Sequence, residues 1–210
     1  MKQFFLFITI AFYSIQFSSA QKQMYSIANL EDSLKKHKVV AIIPLKVSIS
    51  YKRLPKGFDA EANKADEKKT GINMQQGMYT YLLRKADDYF VTFQDVDRTN
   101  ALLNRAQVMD KLDEILPDSL AKILGVDAIL KASYSYEKTG SEAGAIVKTL
   151  VFGFGGSTGT GALTMQIYSG SSGSLLWRFY KEMSEGAFSS GNELMERMMR
   201  KVSRNFPYEK

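Results

Sequence analysis

Apolar and polar residues alternate with clear periods along most of this chain. Ile27, Leu30 and Leu34 stand at i, i+3 and i+7 within Ser26 to Lys36, the spacing of a short helix. Val39 to Tyr51 reads VVAIIPLKVSISY. Its first half is apolar at every position, as in a strand covered on both faces, and its second half alternates, as in a strand with one wet face. Pro44 stands where the pattern changes, at a bulge or sheet edge that tolerates a missing N–H. Arg53 to Lys69 is polar and reads as a long loop. Ile72, Gln75, Tyr79, Leu82, Leu83 and Ala86 then share a stripe, broadened by Met74 and Met78, which predicts a helix from Asp66 to Asp87. Gly71 and Gly77 weaken that helix by about 1 kcal/mol each relative to Ala.

Tyr89 to Phe93 predicts a short strand, and Asp97 an N-cap for the helix of Leu102, Leu103 and Ala106. Pro117 opens a further helix that Gly125 closes. Val126 to Glu137 alternates as a long strand. Leu163, Met165 and Ile167, then Leu175, Trp177 and Phe179, alternate around Gly170 to Gly173 and predict a β-hairpin. Ser190 with Glu193 forms a capping box for a last helix with the apolar face Leu194, Met195, Met198, Met199 and Val202. Arg197, Arg200, Lys201 and Arg204 place positive charge near its carboxyl end, where the helix dipole favours it.

The amino terminus has a different character. Lys2, the apolar run Phe4 to Tyr13 and the small residues Ser18, Ser19 and Ala20 read as a secretory signal peptide cut after Ala20. The rival reading, a membrane anchor, needs roughly twenty apolar residues, and this run is about half as long. Residues 1–20 are therefore read as leader, 21–37 as a helical lead-in, and 38–206 as a single domain with an apolar, Gly-rich insertion at 141–161. The expected compartment is the periplasm or the exterior. The chain has no Cys, which excludes a disulfide scaffold, a thiolate metal site, a cysteine nucleophile and a lipidated cysteine.

The 210 residues carry a formal charge of +6. The charges are mixed in sign, and no basic stripe interleaved with aromatics appears, so nucleic acid is not an expected partner. Weak attraction to anionic lipid head groups is. Few residues invite chemistry. Gly153 to Gly161 (GFGGSTGTG) lacks the Lys-Ser/Thr of a phosphate loop, misses the G-x-G-x-x-G spacing and precedes a strand, so it reads as a flexible loop. His37, the one histidine, reads as a solvated side chain, and a hydrolase would have to recruit it. The pairs Asp87-Asp88 and Asp95/Asp97 lack a calcium-loop pattern and read as turn and cap residues. No catalytic residue, metal site or cofactor is expected. Trp177 reads as a core anchor, and the methionines of the last helix as core, with a pliable partner groove as the sharper alternative. Ala143 to Phe154 (AGAIVKTLVFGF) is almost wholly apolar. It is either an extra strand or a contact segment, and Ile146, Val147, Leu150, Val151, Phe152 and Phe154 are its candidate partner- or membrane-contact residues.

Several pieces, taken in order, resemble a bacterial envelope family. VVAIIPL at Val39 to Leu45 is similar to the strand ending in Pro that opens the amino-terminal domain of TolB and the curli-secretion (CsgG-like) lipoproteins. The helix near Asp66 to Asp87 and YFVTF resemble the next elements, LAKILGVDAIL at Leu120 to Leu130 the helix, Gly-Val-Asp, strand step, and IYSGSSGSLLW at Ile167 to Trp177 the hairpin with Trp. The resemblance implies an α/β (α+β) fold: a mixed sheet with a C-terminal antiparallel hairpin, covered by helices in an anticodon-binding-like sandwich. It also implies a non-catalytic part in envelope assembly, secretion or signalling. CsgG-like channels carry a lipid-anchoring Cys and long membrane-inserting hairpins, whereas this chain has no Cys and only the short stretch Ala143 to Gly161. An accessory domain is thus expected rather than a pore. It would bind an envelope partner or another copy of itself, through the apolar segment and the open face of the hairpin. The alternative is a periplasmic lipid- or small-molecule-binding protein, with its pocket between that segment and the Met-rich helix.

Overall fold

The computed structural model describes residues 22–138, 157–186 and 191–210. They form a mixed α+β domain around one seven-stranded sheet. The strands are β1 (Lys22–Ser26), β2 (Val39–Ile42), β3 (Lys46–Tyr51), β4 (Thr92–Phe93), β5 (Ala128–Lys138), β6 (Ser157–Ser169) and β7 (Leu175–Gly186). The helices are α1 (Leu30–Leu34), α2 (Ala60–Arg84), α3 (Val96–Arg105), α4 (Pro117–Leu124) and α5 (Gly191–Val202). Across the sheet the order is β1-β7-β6-β5-β2-β4, with β3 following β2 along the same side of β5. Strands β1, β7, β6 and β5 run antiparallel, while β2 and β3 lie parallel to β5 and β4 parallel to β2.

Pro44 breaks the strand where the pattern changes. Ile42 pairs with Leu130 and Lys46 with Ser133, so four steps on one strand face three on the other, a one-residue bulge that needs no N–H from Pro44. On one sheet face α1, α2, α5 and the carboxyl-terminal tail bury the main core, in which Met195, Met198, Met199 and Val202 are fully enclosed. The methionines are thus packing residues, and the partner-groove alternative is overturned. Trp177 anchors this core, stacked on Phe179 and edge-on to Phe206. On the other face α3 and α4 cover a smaller core around Ala41, Ile43 and Ile129.

Helix α4 has Pro117 in its first turn, and Gly125 closes it at φ +66°, a left-handed conformation that glycine adopts without strain. Several other expectations are corrected. Residues 22–26 form strand β1 on β7 rather than part of a helical lead-in, and only Leu30–Leu34 is helical there. Helix α2 starts at Ala60, capped by Asp59, so the polar stretch expected to be a long loop is largely helical. Its buried stripe is Gly71, Met74, Gln75, Met78, Tyr81 and Leu82, whereas Leu83 is 57% exposed. The cause is Gly71. A Cβ there would lie 2.2 Å from the Leu45 carbonyl oxygen, so the glycine lets the helix backbone touch the strand. The cap of α3 is Asp95, which accepts from the Arg98 N–H, rather than Asp97. A bulge after Ile167 sends Leu176 into the core in place of Leu175. The residues of the last helix's capping box lie outside those described in side-chain detail. Of the Gly-rich stretch, Ser157 to Gly161 is strand, and Gly159 and Gly161 leave room for the rings of Tyr136 and Tyr134.

The free side of β3 is guarded by α2. The Ile49 N–H donates to Glu67 Oε1 at 2.6 Å, Asn63 Nδ2 donates to the Ile49 carbonyl, and the Leu45 N–H donates to the Gly71 carbonyl. Backbone groups that would otherwise offer a template for a further strand are thereby satisfied.

Candidate interaction surface

Beyond the reach of α3 and α4, one face of β5, β6, β7 and β1 carries no helix among the described residues. Strand register lays its side chains in rows. One row runs Lys131, Gln166, Arg178, Tyr25, and the next Ser133, Thr164, Tyr180, Gln23. A third joins Ser135, Ala162 and Glu182. On β5, β6 and β7 these residues alternate with core residues such as Ala132, Met165 and Phe179, so burying one face fixes the other outward. Tyr25 is 51% exposed and Arg178 is exposed, while Gln166, Tyr168 and Tyr180 are half-buried by their neighbours. Tyr180 donates to Glu182 Oε1 at 2.5 Å, and this bond, together with burial, raises its phenol above the ordinary range. Burial likewise raises Tyr168, against the opposing charge of Arg178. Both phenols stay neutral and able to donate. At the inner corner Asp113 holds Lys131 at 3.0 Å and Lys46 at 2.8 Å. Burial acts to raise the Asp113 carboxyl, and its two lysine bonds prevail and hold it low.

The candidate contact residues Ile146, Val147, Leu150, Val151, Phe152 and Phe154 lie outside the described residues. The strands that flank them are described: Lys138 ends β5, Ser157 opens β6, and Lys138 pairs with Gly159.

His37 is not solvated. It is 7% exposed, and its Nδ1 shares a 2.8 Å hydrogen bond with the Tyr208 hydroxyl, 171 residues away. Burial holds its imidazole below the ordinary histidine range, against the charge of Asp127. It lines a shallow cleft with Ser33, Asp127, Ser169 and Ser171. Asp127 is committed to the backbone N–H groups of Lys38 and Val39, and the Ser169 and Ser171 hydroxyls bond each other. Among the described residues no hydrogen bond links His37 to a serine or to Asp127, so the cleft holds no assembled nucleophile–base pair. Asp87 and Asp88 stand in a turn beside Lys85, and no group of three His, Asp or Glu side chains among the described residues could hold one metal ion. No described helix is long and apolar enough to cross a membrane.

No family model and no curated protein matches the sequence. Solved structures give distant likenesses. The lipoprotein GNA1162 from Neisseria meningitidis is 12% identical with a TM-score of 0.44, over 80% of this chain and 96% of that one. The PelC dodecamer from Paraburkholderia phytofirmans is 14% identical with a TM-score of 0.42, over 91% and 98%. The LpoB C-terminal domain from Escherichia coli is 12% identical with a TM-score of 0.35, over 74% and 93%. With scores this low the likeness carries no argument about what this chain does.

Proposed function

We propose that this chain is a non-catalytic, exported bacterial protein that works by docking. Its open sheet face binds an envelope protein or a second copy of itself, in envelope assembly, secretion or signalling. The observation that supports this reading is a sheet face that no helix covers among the described residues. Tyrosine and arginine are enriched where proteins meet, since they combine a large contact area with fixed hydrogen-bonding groups, and Tyr25, Tyr168, Arg178 and Tyr180 gather here on a rigid sheet. The apolar residues Ile146 to Phe154, which lie between Lys138 and Ser157 in the sequence, are further candidate contacts. The leader pattern of residues 1–20 supports export to the periplasm or beyond, and the ordered motifs that resemble TolB and CsgG-like domains support an accessory role in the envelope.

A photo-reactive residue placed at Arg178 tests the proposal, with Asn104 on the exposed side of α3 as control. In envelope-bearing cells, the Arg178 position should give a discrete cross-linked species, and the Asn104 position should not. Its mass separates a second copy from a different protein. Absence of cross-links at Arg178, or the same pattern at both positions, refutes the docking face.

A further inference from the structure

On the opposite side of the sheet, where β1 and β7 meet α5, the structure gathers positive charge. Arg197, Arg200, Lys201 and Arg204 stand at i, i+3, i+4 and i+7, one outward stripe of α5 and the single 3-10 turn, Ser203–Asn205, that continues it. Register places Lys22 of β1 beside Lys181 of β7, facing that stripe. The six cations line a groove of about 580 Å³ whose other walls are Phe179 and Asn205, with no acidic residue among them. Lys22 is held by Asn205 Oδ1 at 2.8 Å. Glu196 of the same helix is shared between Arg84 at 3.1 Å and Arg200 at 3.9 Å. A further feature belongs to this corner: Met24, next along the same side of β1 and opposite Phe179, is 53% exposed.

We propose that this groove is a docking site for an anionic phospholipid surface. Charge complementarity supplies the attraction, since each cation near an anionic leaflet strengthens partition about fivefold. The exposed thioether of Met24 selects a membrane over a soluble polyanion, because only the head-group boundary also offers apolar contact. This site lies on the side of the sheet opposite the proposed docking face, so either proposal can fail alone.

The test is flotation of the purified protein with vesicles of phosphatidylcholine alone or mixed equally with phosphatidylglycerol. Its intact mass is read first, so that retention of residues 1–20 is known. Binding should favour the anionic vesicles and weaken as salt rises and the Debye length shortens. The variant Lys22→Gln/Arg200→Gln/Arg204→Gln, all at exposed positions, should bind about a hundredfold more weakly at low salt. The charge-conserving Lys22→Arg/Arg200→Lys/Arg204→Lys should retain binding, which separates charge from folding. Equal binding to both vesicles, or undiminished binding by the Gln variant, overturns the proposal. So does release by inorganic phosphate at matched ionic strength, which would reveal a site for a soluble phosphate instead.

Discussion

Replacing Gly71 by Ala should destabilise this protein, although in an isolated helix the same change would stabilise it by about 1 kcal/mol. The added Cβ would meet the Leu45 carbonyl oxygen at 2.2 Å, where ordinary contact begins at 3.4 Å. That oxygen belongs to backbone, so no side-chain rotation relieves the clash, and helix and strand must separate by about 1 Å. Overpacking of this kind costs about 1–3 kcal/mol. Separation also stretches the Leu45 N–H to Gly71 carbonyl bond, already 3.3 Å long, at a net cost of about 1 kcal/mol. After the helix gain the loss is about 1–3 kcal/mol, or roughly 2–4 °C of Tm for each kcal/mol in a chain of this size. Urea unfolding followed by the fluorescence of Trp177, the one tryptophan and a buried one, measures it directly. Asn73→Ala, at an exposed position on the same helix, is the control and should be neutral or slightly stabilising. A Gly71→Ala protein as stable as the wild type would show that the strand–helix backbone contact is not formed.

Other outcomes follow from the same geometry. Because His37 has its proton affinity lowered by burial, the native state binds fewer protons than the unfolded chain near and below pH 6.5. Its contribution is therefore complete above that pH and lost as pH falls, and His37→Gln should flatten the acid side of a urea-midpoint profile. A wild-type profile just as flat would contradict the buried assignment. Tyr208→Phe removes the hydroxyl that bonds His37 and should cost about 1 kcal/mol at neutral pH. Glu67→Ala strips the Ile49 N–H of its acceptor, and faster amide exchange at Ile49 should accompany a loss of about 1–2 kcal/mol. Gly125→Ala meets no neighbour within 4 Å, so its cost is conformational alone, about 1 kcal/mol by thermal melting.

The parts legible in the sequence are those governed by local rules. Pro117 and Gly125 bracket α4, and the methionines of α5 mark its buried face. The alternation of Leu163, Met165 and Ile167 fixes which side of the hairpin enters the core. The parts that escaped depend on distant contacts or polar burial. The start of α2 packs through Asn63 and Glu67, which bond to backbone, so a search for apolar periodicity passes over it. Gly71 carries no side chain to count, which displaced the apparent stripe toward Ile72 and Leu83. His37 is enclosed by a tail more than a hundred and fifty residues later. In the open face, the rows that join Tyr25 to Arg178 and Gln166 exist only through strand register, and β1 itself reads in sequence as part of a helical lead-in.

The helix that shields β3 gives the sheet two unlike rims. On one side Asn63, Glu67 and Gly71 satisfy backbone groups along β3 and the outermost strand, β4, is only two residues long, whereas β1 is exposed at all five residues and, among the described residues, pairs only with β7. Growth by strand addition is thus a one-sided affair. Two copies meeting through their first strands would complete a closed, two-fold pair, and a runaway fibril built rim to rim would find nothing left to extend.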